Sequence, residues 1–329
     1  MSNSRQGLSS KNPFYRRKDK VVFVMGATGT GKSRLAIDLA TRFAAEIINS
    51  DKIQVHRGLK ILTNKVTDEE RRGVPHHLLG VVEPDDDFTA DDFCSNALMA
   101  MESILSHGRT PIIAGGSNSF IDALVNRTPD FRSRYECCFL WVDVSMLVLQ
   151  SFVSERVEKM VELGLASEVR NIFDPKADLS RGIRRAIGVA EMHNYLTIEG
   201  SATLSTEKKA AILASAIEEI KANTCALASR QLKKIRRLKG IWGCRMHRLD
   251  ATETFVKKGD DADEAWERTV AGPSTAIMYE FLFGENPIVG AFKPAENPTA
   301  GVIGATALSI PMPWPLLLTS IYSNNRDLV

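Results

Sequence analysis

The sequence predicts an α/β protein: a parallel sheet flanked by helices, with an additional helical subdomain beside it. Three observations carry this prediction. Short apolar runs at residues 21–25, 46–49, 111–114 and 139–142 alternate with helix-patterned stretches, as parallel strands joined by crossover helices do. Residues 26–33 read Gly-Ala-Thr-Gly-Thr-Gly-Lys-Ser, a full G-x-x-x-x-G-K-S phosphate loop set between a strand and a helix, as that motif requires. From residue 145 to about 238 the pattern turns helical throughout.

Each element follows from its residues. The run 21–25 is a buried strand feeding the phosphate loop, and residues 33–43 have helical spacing. The core is therefore expected to be P-loop NTPase-like. The second strand, 46–49, ends on Ser50-Asp51, and the third, 111–114, ends on Gly115-Gly116-Ser117. Residues 89–106 form the helix between them. Sites in such sheets sit at the carboxyl ends of strands, and the first three runs end on residues suited to one. Residues 145–173 read as helix, stopped by Pro175, and 206–238 as a long Ala- and Lys-rich helix. A short strand-like piece follows Gly240, then an acidic loop at 259–264 and a helix at 274–284. The expected organisation is a flexible leader at 1–20 and a core at 21–144. A helical part at 145–240 packs a basic helix back on that core. Residues 241–285 return to the core, and 286–329 form a tail of unknown role.

Composition is that of an ordinary soluble globular chain of 329 residues, 25% charged and 44% hydrophobic. A net charge of +2 gives no global case for nucleic acid. Five cysteines, with no C-x-x-C pair, argue against zinc fingers and disulfide frameworks and fit a reducing compartment. The leader lacks the apolar core of a secretory signal and reads as disorder or the remnant of a transit peptide. Residues 301–322 are uncharged and long enough to span a bilayer, but Pro311, Pro313 and Pro315 would break a helix there. No membrane association is expected.

The phosphate loop implies a bound polyphosphate or diphosphate. Its glycines let backbone amides converge on anionic oxygens, Lys32 adds a point charge, and the Ser33 hydroxyl can hold Mg²⁺. Asp51 would face the space beside the loop; it could position Mg²⁺, accept a proton, or simply cap a turn. Arg184 and Arg185 lie in a glycine-bounded segment, and arginine forks match phosphate oxygens, although a surface pair is more often only solvated. Arg230, Lys233, Lys234 and Arg237 share one helix face, which could meet phosphates or be a solvated basic face. Asp143 resembles a Walker B carboxylate no more than any strand-end aspartate would. His76 and His77, being adjacent, diverge and make a poor metal pair. Asn64-Lys65-Val66-Thr67 fails the last position of a guanine reader.

These residues resemble the isopentenyltransferase family that prenylates adenine N6. Gly26–Ser33 matches its first motif and Ser-Asp-Lys-Ile-Gln-Val (50–55) its second. Val-Pro-His-His-Leu (74–78), Ala-Gly-Gly-Ser-Asn-Ser (114–119), Arg-Arg-Ala-Ile-Gly (184–188) and Ala-Asn-Thr-Cys-Ala-Leu-Ala-Ser-Arg-Gln (222–231) continue the series in order. The details are most similar to the plant adenylate isopentenyltransferases, which start cytokinin synthesis. The resemblance implies that the loop cradles the diphosphate of dimethylallyl diphosphate and that an adenine nucleotide (ATP, ADP or AMP) is the acceptor. Asp51 matches the catalytic carboxylate. Gly26, Ala27, Thr28, Gly29, Thr30, Gly31, Lys32, Ser33, Ser117, Arg185 and Arg230 would surround the diphosphate, with Mg²⁺ near Ser33 and with Lys32 and Arg185 assisting its departure. Ser50, Asp51, Lys233 and Lys234 would face the acceptor. His56 stands where related enzymes usually carry Tyr.

The family's tRNA-modifying branch carries a long helical insertion after the Gly-Gly-Ser/Thr block, where this chain has only residues 125–138. A free nucleotide is therefore the expected acceptor, with tRNA as the alternative on account of the basic face at 230–237. More remote readings are a P-loop small-molecule kinase and a non-catalytic nucleotide-binding module. A monomer in the plastid or the cytoplasm is expected.

Overall fold

The computed structural model describes residues 18–200 and 203–284; the tail and the apolar segment at 301–322 lie outside these. Six parallel strands form one sheet in the order β3-β2-β4-β1-β5-β6. They are β1 (Asp19–Gly26), β2 (Ala45–Asn49), β3 (His76–His77), β4 (Thr110–Ala114), β5 (Tyr135–Asp143) and β6 (Met246–Asp250). The helices are α1 (Lys32–Arg42), α2 (Asp68–Arg71), α3 (Ala90–Ser106), α4 (Asn118–Asp122), α5 (Phe131–Arg134) and α6 (Met146–Glu162). They continue with α7 (Leu165–Arg170), α8 (Val189–Glu199), α9 (Thr206–Trp242), α10 (Thr252–Val256), α11 (Asp260–Trp266) and α12 (Gly272–Phe283).

β1 is central, paired with β4 and β5, with Val22 opposite both Ile112 and Cys138. Its side chains alternate between the faces of the sheet. Val22 and Val24 join Leu35, Leu39 and Leu140 on one face; Phe23 and Met25 join Phe93, Met101 and Phe139 on the other. A strand buried on both sides explains the unbroken apolar run. α9 runs from the core of the helical part into the cores on both faces of the sheet. Ala216 and Ile220 pack with α6, α7 and α8, whereas Leu232, Ile235, Leu238 and Trp242 pack under the sheet. The helical part and the sheet thus share one continuous helix.

The expected parallel sheet and flanking helices are present, with three differences in detail. The helical run at 145–173 is divided by Gly164, whose φ of 101° no helix accommodates, into α6 and α7. The expected acidic loop at 259–264 is mostly α11, because Asp260, Asp261 and Asp263 sit in its first turn, where the helix dipole favours them. The edge strand β3 has only two residues and offers no apolar run to read. Among the described residues, no helix is long and apolar enough to cross a membrane.

Candidate active site

The carboxyl ends of β1, β2 and β4 open into one cavity of about 480 Å³, with α6 and α9 forming its far wall. Pockets of this volume suit small-molecule ligands. The phosphate loop forms one end. Gly29 and Gly31 have φ near 85°, and each is also closely covered: a side chain at Gly29 would meet Val153 at 2.9 Å, and one at Gly31 would meet the Trp266 ring at 2.9 Å. Thr28, Gly29, Gly31, Lys32 and Ser33 line the cavity. The amides of Gly29, Gly31, Lys32 and Ser33 have no acceptor among the described residues, and they stand at the amino end of α1, where an anion is favoured.

Gly26, Ala27 and Thr30, expected to touch the ligand, instead support the loop from beneath. All are buried. A side chain at Gly26 would collide with Thr30 Oγ1 at 2.5 Å and Val142 O at 2.6 Å. Ala27 O accepts hydrogen bonds from Thr30 Oγ1 at 2.9 Å and Lys32 Nζ at 2.6 Å. Burial pushes the Lys32 ammonium down to about 8; Asp51 attracts its charge and Arg156 repels it. The nearby carboxylate therefore offsets only part of the cost of desolvation.

Asp51 lines the same cavity. Its Oδ1 accepts the backbone amides of Ile53 at 2.9 Å and Gln54 at 3.2 Å, which fixes the carboxylate in a turn. Oδ2 lies toward the bare backbone of Gly116: a side chain there would begin 3.3 Å from it. Arg185 and Arg230 also line the cavity. Arg185 sits in a 3₁₀ turn, Gly182–Arg185, donates to Gly182 O at 3.2 Å and lies 3.9 Å from Asp87 Oδ1. Arg184 turns away to pair with Asp85. Arg230 makes no hydrogen bond or ion pair with a described residue and faces the cavity as a free cation.

Four other expected residues fall outside this lining. Ser50 is fully buried; its amide donates to Ala114 O at 2.8 Å and its carbonyl accepts from Ser117 N at 3.1 Å, so it staples β2 to β4 instead of facing an acceptor. The Ser117 hydroxyl accepts the Lys52 amide at 2.9 Å, securing the segment after Asp51. Lys233 and Lys234 lie beyond the mouth. α9 advances 1.5 Å per residue, and by Arg237 it has reached α4, where Arg237 pairs with Asp122 at 3.0 Å. Burial lowers the Lys234 ammonium, with Asp122 opposing and Arg237, Arg127 and Lys52 reinforcing the shift. Asp143 is committed to Arg248 at 2.7 Å, a structural pair at the sheet edge.

Three residues of the site carried no assignment in the sequence. Arg156 of α6 reaches the loop and donates to Thr28 Oγ1 at 3.0 Å, while its Nε is buried without a partner. Burial pushes it down to about 10, and no carboxylate of the described residues pairs with it. A desolvated cation facing a phosphate loop calls for an anion there. In sequence its only signal is its place beside the buried stripe Val153, Val157 and Met160. Gln231 accepts the Thr28 amide at 2.7 Å and donates to Gly116 O at 3.0 Å. Trp266 covers Gly31, donates to Asp38 Oδ2 at 2.8 Å and lies under Arg34, whose guanidinium is 4.6 Å from its ring. Beyond the charged end, Val157, Met160, Ile220 and Leu227 give the cavity an apolar wall.

Mg²⁺ fits this donor set through one protein ligand. The Ser33 hydroxyl lies in the cavity with no hydrogen bond to a described residue. No cluster of His, Cys, Asp or Glu suited to a metal occurs among the described residues. A Mg²⁺ ion at Ser33 would take the rest of its oxygen ligands from phosphate and water.

Comparison with known proteins places the chain. The sequence family described as IPP transferase matches residues 54–133 and 126–238. Adenylate isopentenyltransferase 5, chloroplastic, of Arabidopsis thaliana is 62% identical over 284 residues, covering 86% of both chains. Adenylate isopentenyltransferase 7, mitochondrial, of the same plant is 55% identical, covering 84% of both. Its tRNA dimethylallyltransferase 2 is 30% identical, covering 87% of this chain and 84% of its own. A solved eukaryotic dimethylallyltransferase acting on tRNA shares the fold, with a TM-score of 0.67 at 24% identity over 80% of this chain and 79% of that one.

Proposed function

The chain belongs to the IPP transferase family, and from that premise we propose that it is an adenylate isopentenyltransferase. It moves the dimethylallyl group of dimethylallyl diphosphate onto N6 of ATP or ADP and releases diphosphate, the opening step of cytokinin synthesis. The observation that carries this reading is the pairing of Asp51 with the phosphate loop in one cavity, close enough that Asp51 acts on the charge of Lys32.

The exocyclic amine of adenine is a poor nucleophile, because its lone pair is delocalised into the ring. Asp51 has one oxygen engaged by two amides and the other available to accept the N6 proton as N6 attacks C1 of the donor. The N6–C1 bond forms, the C1–O bond breaks, and the electron pair leaves on the diphosphate. Charge developing there is met by the loop amides, Lys32, Arg156, Arg185 and Arg230. When bound at Ser33, Mg²⁺ would neutralise part of the same charge. The apolar wall from α6 and α9 keeps water from the allylic carbon.

A free nucleotide fits better than tRNA, since only residues 123–134 connect α4 to β5. Incubation with dimethylallyl diphosphate, Mg²⁺ and ATP, ADP or AMP is the test: the nucleotide should gain one C5 unit. Phosphate transfer without prenylation would overturn the reading, and product formed only with added tRNA would move the chain to the other branch. The reading includes plastid or cytoplasmic residence, to be checked with a fluorescent fusion, and a monomeric state, to be checked by light scattering.

A further inference from the structure

Gln231 ends the block 222–231 and has no part in the reaction as described above. Its side-chain amide spans two elements that the chemistry must hold in register. Oε1 accepts the amide of Thr28, at the tip of the phosphate loop, at 2.7 Å, and Nε2 donates to the carbonyl of Gly116, in the turn after β4, at 3.0 Å. Both ends of the amide are used, so its orientation is fixed. The same turn is packed against the base. A side chain at Gly116 would begin 2.5 Å from Gln231 Nε2 and 3.3 Å from Asp51 Oδ2, so the amide and the carboxylate flank one stretch of bare backbone. Thr28 is held a second time through Arg156 on its hydroxyl. Beside Gln231 on α9, Arg230 enters the cavity.

We propose that Gln231 is a positioning residue that sets the separation between the donor's diphosphate cradle and Asp51. It lines the cavity, and its side-chain amide joins the loop that holds the leaving group to the turn that borders the base. The inference rests on the prenyl transfer proposed above. Losing the bridge frees two elements to move relative to each other. It should penalise the transition state, in which both must act together, more than the binding of either substrate alone.

Two variants test this. Gln231→Met keeps the volume and removes both hydrogen bonds. Its kcat, expressed per donor-binding site counted by calorimetric titration, should fall about a hundredfold, while the KM of each substrate changes less than about fivefold. Gln231→Glu keeps the acceptor for the Thr28 amide but sets a carboxylate against Gly116 O and near the bound diphosphate. With the bond to Gly116 O lost, it should lower kcat per site about tenfold or more and, with oxygen facing oxygen, melt below wild type. Wild-type protein is assayed in parallel. If it prenylates no nucleotide, the proposed function fails. If it does, and Gln231→Met keeps kcat per site within twofold, the positioning role is overturned. Should the Met variant not fold, Gln231→Glu with kcat per site within twofold of wild type overturns it instead.

Discussion

Replacing Arg156 by Met should make the empty protein more stable and the liganded one weaker. Burial lowers the guanidinium from its ordinary value to about 10, with no carboxylate of the described residues in compensation. At about 1.4 kcal/mol per pH unit, that shift weighs about 3 kcal/mol against the charged fold. The side chain is only partly buried, and solvent screening reduces this to about 2 kcal/mol. The sign follows from the direction of the shift. A base with a depressed folded pKa bears the full penalty below about pH 10, and so at neutral pH; the penalty fades only as pH rises above that toward the ordinary guanidinium value. Losing the hydrogen bond to Thr28 subtracts about 1 kcal/mol from the gain, and Met preserves the packing of the stem. The net is about 1 kcal/mol in favour of the variant, a rise of about 2–4 °C in Tm. Binding of inorganic pyrophosphate should lose about 2–3 kcal/mol, roughly thirtyfold to a hundredfold. Thermal melts without ligand and calorimetric titration with pyrophosphate read both effects. A variant that melts lower and binds pyrophosphate as well as wild type would refute the assignment of Arg156 to the anion.

Three further outcomes are expected. Asp51→Asn should lose turnover by about a hundredfold or more while pyrophosphate affinity holds; unchanged turnover removes Asp51 from the chemistry. Pyrophosphate affinity of wild type, relative to Lys32→Met, should decline as pH rises through about 8, where Lys32 loses its charge, whereas stability of the empty fold should rise between about 8 and 10.5 as the buried charge ceases to cost energy; titrations and urea melts from pH 7 to 10 check both. Gly182→Ala would place a carbon 2.0 Å from Pro84 O at a residue with φ of 51°, so the turn bearing Arg185 must shift, and KM for the donor should rise about tenfold while the melting of the sheet core stays close to wild type.

The sheet was legible because its strands are buried on both faces and punctuated by glycine or aspartate, as β1 and the Gly26–Ser33 loop show. The strand ends were legible as the place where a cavity would open for the same topological reason, and Asp51 and Lys32 do share that cavity. What escaped depends on where helices run in space. Arg156 looks like any charge on an amphipathic helix until α6 is laid over the loop. Lys233 and Lys234 share a helical face with Arg230, but a face is a strip along a rod, and the rod leaves the cleft. Ser50 and Ser117 carry suitable hydroxyls, yet Ser50 is buried with its backbone joining the strand ends, and the Ser117 hydroxyl is taken by the Lys52 amide. Such commitments are set by tertiary contacts that no local pattern encodes.

α9 spans 37 residues without a proline, and its one glycine, Gly240, comes near the end; at 1.5 Å per residue it is about 55 Å long. Its first half belongs to the helical lobe and its second half to the sheet lobe. A hinge between the lobes would have to break this strut close to Arg230 and Gln231, both of which line the cavity. A rigid strut at that point leaves any opening of the cavity to segments at its rim, among them residues 53–66 and 181–188, several of which line it.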